Sequence, residues 1–211
     1  MNRRGFVLSS CGAALASLAA LAGPGAALAQ GLPRRVRLDE DRLGDAFEFQ
    51  QDPVWCWAAC IQLALRYCGF DITQQEIVQR TFGTVIPSTA GWVQITQNLN
   101  YVGPDATGTP HVVSASAFSG SPSGEVIVNH LEEDKPIILA YNNPGTFIGH
   151  AVVVTGIGYR VLANRIVIDE LFLRDPFPYT EQHVANNGRR HIPNVITATN
   201  MWLVDASPLP G

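Results

Sequence analysis

The stretch Gln50-Gln51-Asp52-Pro53-Val54-Trp55-Cys56-Trp57-Ala58-Ala59 places a cysteine just behind a proline, at the start of a helix. In the first turn of a helix the backbone N–H groups lack intrahelical partners and the positive end of the dipole is nearest; both favour a thiolate. That is a setting for a nucleophile. Far downstream, Gly149-His150 opens the apolar run Ala151-Val152-Val153-Val154, and Arg174-Asp175-Pro176 follows the next apolar stretch. Cysteine, histidine and carboxylate in that order point to covalent catalysis.

Working outward, Ala58 to Tyr67 is rich in good helix formers and Gly69 suits a C-terminal cap, so the cysteine opens a mostly buried helix. Thr73-Gln74-Gln75-Glu76 has the spacing of a capping box and starts a second helix running to Gly83. A third is expected from about Ser88, with Trp92, Ile95 and Leu99 at helical spacing, and Ser123 caps a fourth over Gly124 to Asp134 that Pro136 stops. After Pro136 the pattern turns to strands: Ile137 to Tyr141, Ala151 to Tyr159, Arg165 to Arg174 and Val195 to Val204. Asn142-Asn143-Pro144-Gly145 reads as a turn, and His111-Val112-Val113 as a further short strand. Helices first and then an antiparallel sheet make an α+β fold, with the nucleophile helix packed on a C-terminal sheet.

The amino terminus reads as a leader. Arg3-Arg4-Gly5-Phe6 precedes an Ala- and Leu-rich stretch that ends in Ala27-Leu28-Ala29, a small-x-small cleavage site. The paired arginines resemble a twin-arginine export signal, with general secretory export as the alternative. A membrane anchor fits less well, because Gly12, Ser17, Gly23, Pro24 and Gly25 interrupt the run. Residues 1–29 are therefore expected to be a signal peptide, and 30–211 a single exported domain of 182 residues. Loss of Arg3 and Arg4 leaves twelve basic against eighteen acidic residues, a net charge of −6. With no basic run or basic amphipathic stretch, nucleic acid and anionic lipid are poor partners, and no stable membrane insertion is expected after cleavage.

The remaining cysteines, Cys56, Cys60 and Cys68, are odd in number. On one helix the last two stand about 12 Å apart, too far to bridge. Free thiols in an exported protein fit folding in the cytoplasm before export. Neither His-Glu-x-x-His nor paired Cys or His spacing is present, so no metal and no cofactor is implied.

Taken together, Gln50, Cys56-Trp57 at a helix start, Gly149-His150 before a strand and Asp175-Pro176 after the next resemble the papain-like cysteine peptidases. The likeness is closest to compact bacterial members such as plant-pathogen effector peptidases and bacteriocin-leader peptidases, and it covers roughly Phe49 to Phe177. Larger papains carry Cys-Gly-Ser-Cys-Trp and about 130–150 residues between cysteine and histidine. Here the motif is Pro-Val-Trp-Cys-Trp and the separation 94 residues, which implies a reduced version of the fold. The resemblance implies a protein or peptide substrate, Cys56 as nucleophile, His150 as base and acid, Asp175 orienting the imidazole, and Gln50 completing the oxyanion hole.

Each role has a plainer alternative. Most free cysteines are small buried hydrophobes, the reading kept for Cys60 and Cys68. His111 at a strand start, His130 on a helix surface, and His183 and His191 in a loop are read as structural or solvated. Asp169 and Asn164 compete with Asp175, and Gln51 with Gln50. Trp57 either covers the site or belongs to the core, and Trp55, Trp92 and Trp202 are assigned to the core. Acyl transfer to an amine, as in a transglutaminase, uses the same three residues, and a non-catalytic binding protein is the alternative outside enzymes. The charged segment between Gln30 and Trp55 reads either as an inhibitory piece or as a strap across the sheet.

Overall fold

A computed structural model describes residues 31–142, 149–193 and 196–209. The expected leader and the turn residues Asn143, Pro144 and Gly145 lie outside the described residues. In chain order the elements are β1 (Arg34–Arg37), α1 (Glu40–Ala46), α2 (Cys56–Tyr67), α3 (Gln74–Phe82), α4 (Trp92–Asn98), β2 (Tyr101–Pro104), β3 (Pro110–Ser119), α5 (Gly124–Glu132), β4 (Ile137–Asn142), β5 (Gly149–Leu162), β6 (Arg165–Arg174), α6 (Glu181–Ala185), β7 (Arg189–Ile192) and β8 (Ala198–Pro208).

The strands form one antiparallel sheet in the order β2-β3-β8-β4-β5-β6-β7, with β1 added onto β5. The α+β expectation holds: α2 packs along β5 and β4, and α5 packs over β6, β1 and β5. From His150 to Tyr159 every residue of β5 is buried, so this strand is covered on both faces rather than alternating core and solvent. α2 is likewise buried on nearly every side, from Trp57 to Leu65. Burying helix against strand at this density brings the first residue of α2 and the first residues of β5 to the same end of the core.

Local chemistry sets the ends of the helices. Thr73 and Glu76 form the reciprocal capping box, Gly83 ends α3 in the left-handed region, and Ser123 caps α5. α4 begins at Trp92, not near Ser88: Gln94 Oε1 accepts from the Gly91 N–H, and the residues from Ser88 to Gly91 are not helical. The approach to α4 is restrained by two indoles, Trp55 Nε1 donating to Ile86 O and Trp57 Nε1 to Ser88 O, each at 3.0 Å.

The charged segment after residue 30 is a strap. β1 runs antiparallel on β5, with Val36 opposite Ile157 and Arg37 opposite Gly156. Gly156 permits the approach, since a Cβ there would stand 2.7 Å from Val36 O. Three further corrections concern extent. His111–Val113 is only part of the ten-residue β3, and the last strand is Ala198–Pro208 instead of Val195 to Val204. His183 and His191 are not in a loop but on α6 and β7.

Candidate active site

Cys56 is the first residue of α2, and no side chain caps that end of the helix. The turn before it is built by Asp52, whose carboxylate accepts from Val54 N and whose carbonyl accepts from Trp55 N at 3.0 Å. The first turn of the helix is thus left without a side-chain cap beside the sulfur, and its N–H groups favour a thiolate. Cys56 is partly exposed, whereas Cys60, one turn deeper, is buried.

His150 is the second residue of β5 and faces the same space. Cys56 and His150 line one cavity of about 300 Å³, together with Val54, Trp57, Trp92 and Trp202. The thiol and the imidazole share this cavity, and Cys56 is among the groups that favour the protonated ring. The other side of the ring is occupied: His150 Nε2 stands 2.7 Å from Asp175 Oδ1. With Nε2 engaged by the carboxylate, Nδ1 is the nitrogen left for the thiol proton.

Burial is the largest single influence on the imidazole and acts to lower its pKa, but the hydrogen bonds to Asp175 and Cys56 and their charges outweigh it and push it up to about 9. Asp175 has 0% exposure, and burial alone would raise its carboxyl; the His150 bond and charge, the Phe177 N–H at 3.1 Å and Arg190 hold it below the usual range instead. The rivals are elsewhere. Asp169 is paired with Arg160 at 2.7 Å, and Asn164 sits in the left-handed region of the β5–β6 turn.

Asp175 is fixed from behind as well. Its N–H donates to Gly188 O at 2.8 Å, and its carbonyl lies 3.1 Å from His183 Nε2. Arg174, wholly buried, pairs with Glu40 of α1 and donates to Asn187 O. Gly188 has φ +68°, and a Cβ there would collide with the Phe47 ring and lie 2.7 Å from Asp175 O. Gly188→Ala is therefore expected to cost about 2 kcal/mol or more, from left-handed strain plus the clash. Urea unfolding should register the loss.

Gln50 is at this junction and Gln51 is not. The Gln50 N–H donates to Pro176 O at 2.9 Å, beside the acid, and its Nε2 donates to Asp52 O at 2.8 Å, the carbonyl that also holds Trp55 N. Gln51 is exposed and bonded to Gln75 and Glu48. Gln50 Oε1 is buried without a hydrogen-bond partner among the described residues. Exchanging the amide O and N would turn oxygen against the Asp52 carbonyl, so the orientation given is the favourable one.

The tryptophans divide differently from expectation. Trp55 and Trp202 are buried, but Trp92 is 36% exposed and, with Trp202 5.2 Å away centroid to centroid, forms part of the cavity wall. Trp57 is at once core and wall. Tyr141 and Tyr179, which sequence reasoning passed over, set their rings edge-on to the imidazole at 5.6 and 6.3 Å. Among the described residues no group of three or more His, Cys, Asp or Glu side chains could hold a metal ion, and no helix is long and apolar enough to cross a membrane.

A cysteine at an uncapped helix start, a histidine across from it and a buried acid behind the ring, carried on helices against an antiparallel sheet, define a papain-like cysteine peptidase. A family model agrees: the one described as Peptidase_C39 like family matches residues 44–194, from within α1 to just past β7. The chain belongs to that family. Among solved structures it is similar to a double-glycine-motif protease from an AMS/PCAT transporter in complex with the leader peptide, at 14% identity over 75% of this chain and 89% of that one, TM-score 0.43. It is also similar to the peptidase domain of Streptococcus ComA, a bifunctional ABC transporter involved in a quorum-sensing pathway, at 12% identity over 78% of this chain and 98% of that one, TM-score 0.47. No curated protein matches the chain.

Proposed function

We propose that residues 30–211 form an exported single-domain enzyme that hydrolyses peptide or isopeptide bonds through a thioester on Cys56. The observation that carries the reading is the 2.7 Å contact of His150 Nε2 with Asp175 Oδ1, on a ring that shares its cavity with Cys56. In this scheme His150 holds the thiol proton and the Cys56 sulfur attacks the carbonyl carbon. The oxyanion is met by the Cys56 backbone N–H and by the Gln50 Nε2–H not engaged with Asp52. Collapse of the tetrahedral intermediate breaks the C–N bond, and His150 delivers its proton to the departing amine. Neutral His150 then takes a proton from water, whose oxygen attacks the thioester; the carboxylic acid leaves and the thiol is restored.

An amide nitrogen carries two N–H donors and only one of those on Gln50 Nε2 is engaged by Asp52 O, which supports its share in this scheme. Gln50→Ala is expected to lower kcat about 10²-fold with little change in KM, as for loss of one oxyanion donor. Gln51→Ala should stay within about threefold. Steady-state kinetics on the two variants decides between the neighbours.

A peptide library incubated with the purified enzyme, with products identified by mass spectrometry, tests the reaction itself. Hydrolysis gives a new free carboxylate. Products joined to an added amine in preference to water would instead support acyl transfer. For the export half of the proposal, amino-terminal sequencing of the protein recovered outside the cytoplasm should begin at Gln30; an intact Met1 would overturn it.

A further inference from the structure

We propose that Arg190 is a positioning residue of this site, clamping the acid so that a single carboxylate oxygen is presented to the imidazole; the inference rests on the peptidase reading above. Asp175 is fully buried, and a buried carboxylate needs partners for both oxygens. Oδ1 takes His150 Nε2 and the Phe177 N–H. Oδ2 takes the Arg190 guanidinium, through Nη1. Without that cation Oδ2 would keep no other hydrogen bond among the described residues, and the carboxylate would be free to rotate about its last bond and weaken the contact with the ring.

Arg190 is built to hold this pose. It stands on the short strand β7, opposite Leu173 and so level with the end of β6 that delivers Asp175. Its guanidinium carbon lies 5.5 Å from the centre of the Tyr179 ring, and Tyr141 lines the same pocket. Tyr141 and Tyr179 are the same two rings that stand edge-on to His150. The clamp therefore ties the acid, the walls of the histidine slot and the edge of the sheet into one unit. Guanidinium geometry suits the task, since a planar cation serves a carboxylate oxygen and an aromatic face together, which a lysine ammonium does less well. The groups in contact with Asp175 are His150 from β5, Arg190 from β7, the Phe177 N–H, and, at its backbone, His183 of α6 and Gly188.

The test is a double-mutant cycle on the full mature chain, read by peptide hydrolysis and by the rate at which iodoacetamide alkylates Cys56 at pH 6. Arg190→Met is expected to lower kcat about tenfold or more, as for loss of a partner that orients a functional imidazole, with KM within about twofold. In an Asp175→Asn background the same change should cost no more than about threefold, because the carboxylate it clamps is gone. An equal factor in both backgrounds, or wild-type kcat in Arg190→Met, overturns the proposal. Where Arg190→Met fails to give a cooperative melt, Arg190→Lys carries the cycle: a loss of about threefold confined to the Asp175 background supports the clamp, and unchanged kcat overturns it. The alkylation arm separates this failure from that of the catalytic reading. If Cys56 of the unmutated protein shows no His150-dependent advantage, the peptidase scheme falls; if it does and Arg190→Met keeps it in full, only the clamp falls.

Discussion

Cys56→Ala is expected to abolish peptide hydrolysis, a fall of about 10⁴-fold or more, because among the described residues no other cysteine lines the cavity beside His150. Cys60 is the nearest rival, but it is buried a turn deeper and its thiol is pushed well above the ordinary range, chiefly by that burial. The fold should be untouched. Cys56 is partly exposed at a helix start, and alanine is a good helix former, so unfolding free energy should move by less than about 0.5 kcal/mol. Hydrolysis assayed beside a melting curve checks both halves: an inactive, normally melting variant is the expected result, and retention of a tenth of the activity would place the nucleophile elsewhere.

His150→Ala carries the second large effect, a loss of about 10²- to 10⁴-fold in kcat/KM, since one residue supplies both the base and the acid of the cycle. It also has a signature in stability. Because the imidazole is pushed up to about 9 in the folded protein, above an unfolded value of about 6.5, it binds its proton more tightly when folded. The stabilisation is thus full below about pH 6.5 and is lost as pH rises through about 9. For Asp175 the sign is opposite: its lowered carboxyl contributes at neutral pH, and that contribution is lost only as pH falls into the acid range. Melting temperatures taken from pH 6 to 9.5 should fall for the unmutated protein and fall less for His150→Ala. Parallel curves would mean that the folded state does not hold this proton.

What the chain declares in its sequence is mostly what short-range physics controls. The capping box at Thr73 and Glu76, the serine cap of α5 and the buried run of β5 depend on neighbours a few residues away, and they stand where the pattern places them. Cys56 and His150 were legible for the same reason, each marking the start of a strongly patterned element. β1 and β7 were not, because Arg34-Arg35-Val36-Arg37 and Arg189-Arg190-His191-Ile192 offer little apolar alternation. Their strand state comes from distant partners: Arg35 pairs with Glu170 at 2.6 Å, Arg37 lies 3.6 Å over the Phe172 ring, and His191 stacks on that same ring at 4.8 Å. α6, five residues long, is too short to show a period.

The same boundary runs through the site. Gln50 and Gln51 are indistinguishable in sequence, and the Pro176 carbonyl 126 residues away is what ties the backbone of the first beside the acid. Trp92 carried an apolar label that said core, yet the segment pinned by the Trp55 and Trp57 indoles leaves it on the rim of a cavity. Arg190 gave no local signal at all. Its meaning comes from β7 pairing with β6, a contact between strands separated by α6.

The central claim is that Cys56, His150 and Asp175 act as one unit, and site-resolved alkylation measures it most directly. Iodoacetamide labelling at about pH 6, quantified by peptide mapping, should modify Cys56 far faster than Cys60 or than Cys68, whose thiol burial pushes up to about 12. That advantage should vanish in His150→Ala and shrink in Asp175→Asn. Equal labelling of the three cysteines, or a Cys56 rate unchanged by His150→Ala, would contradict the account.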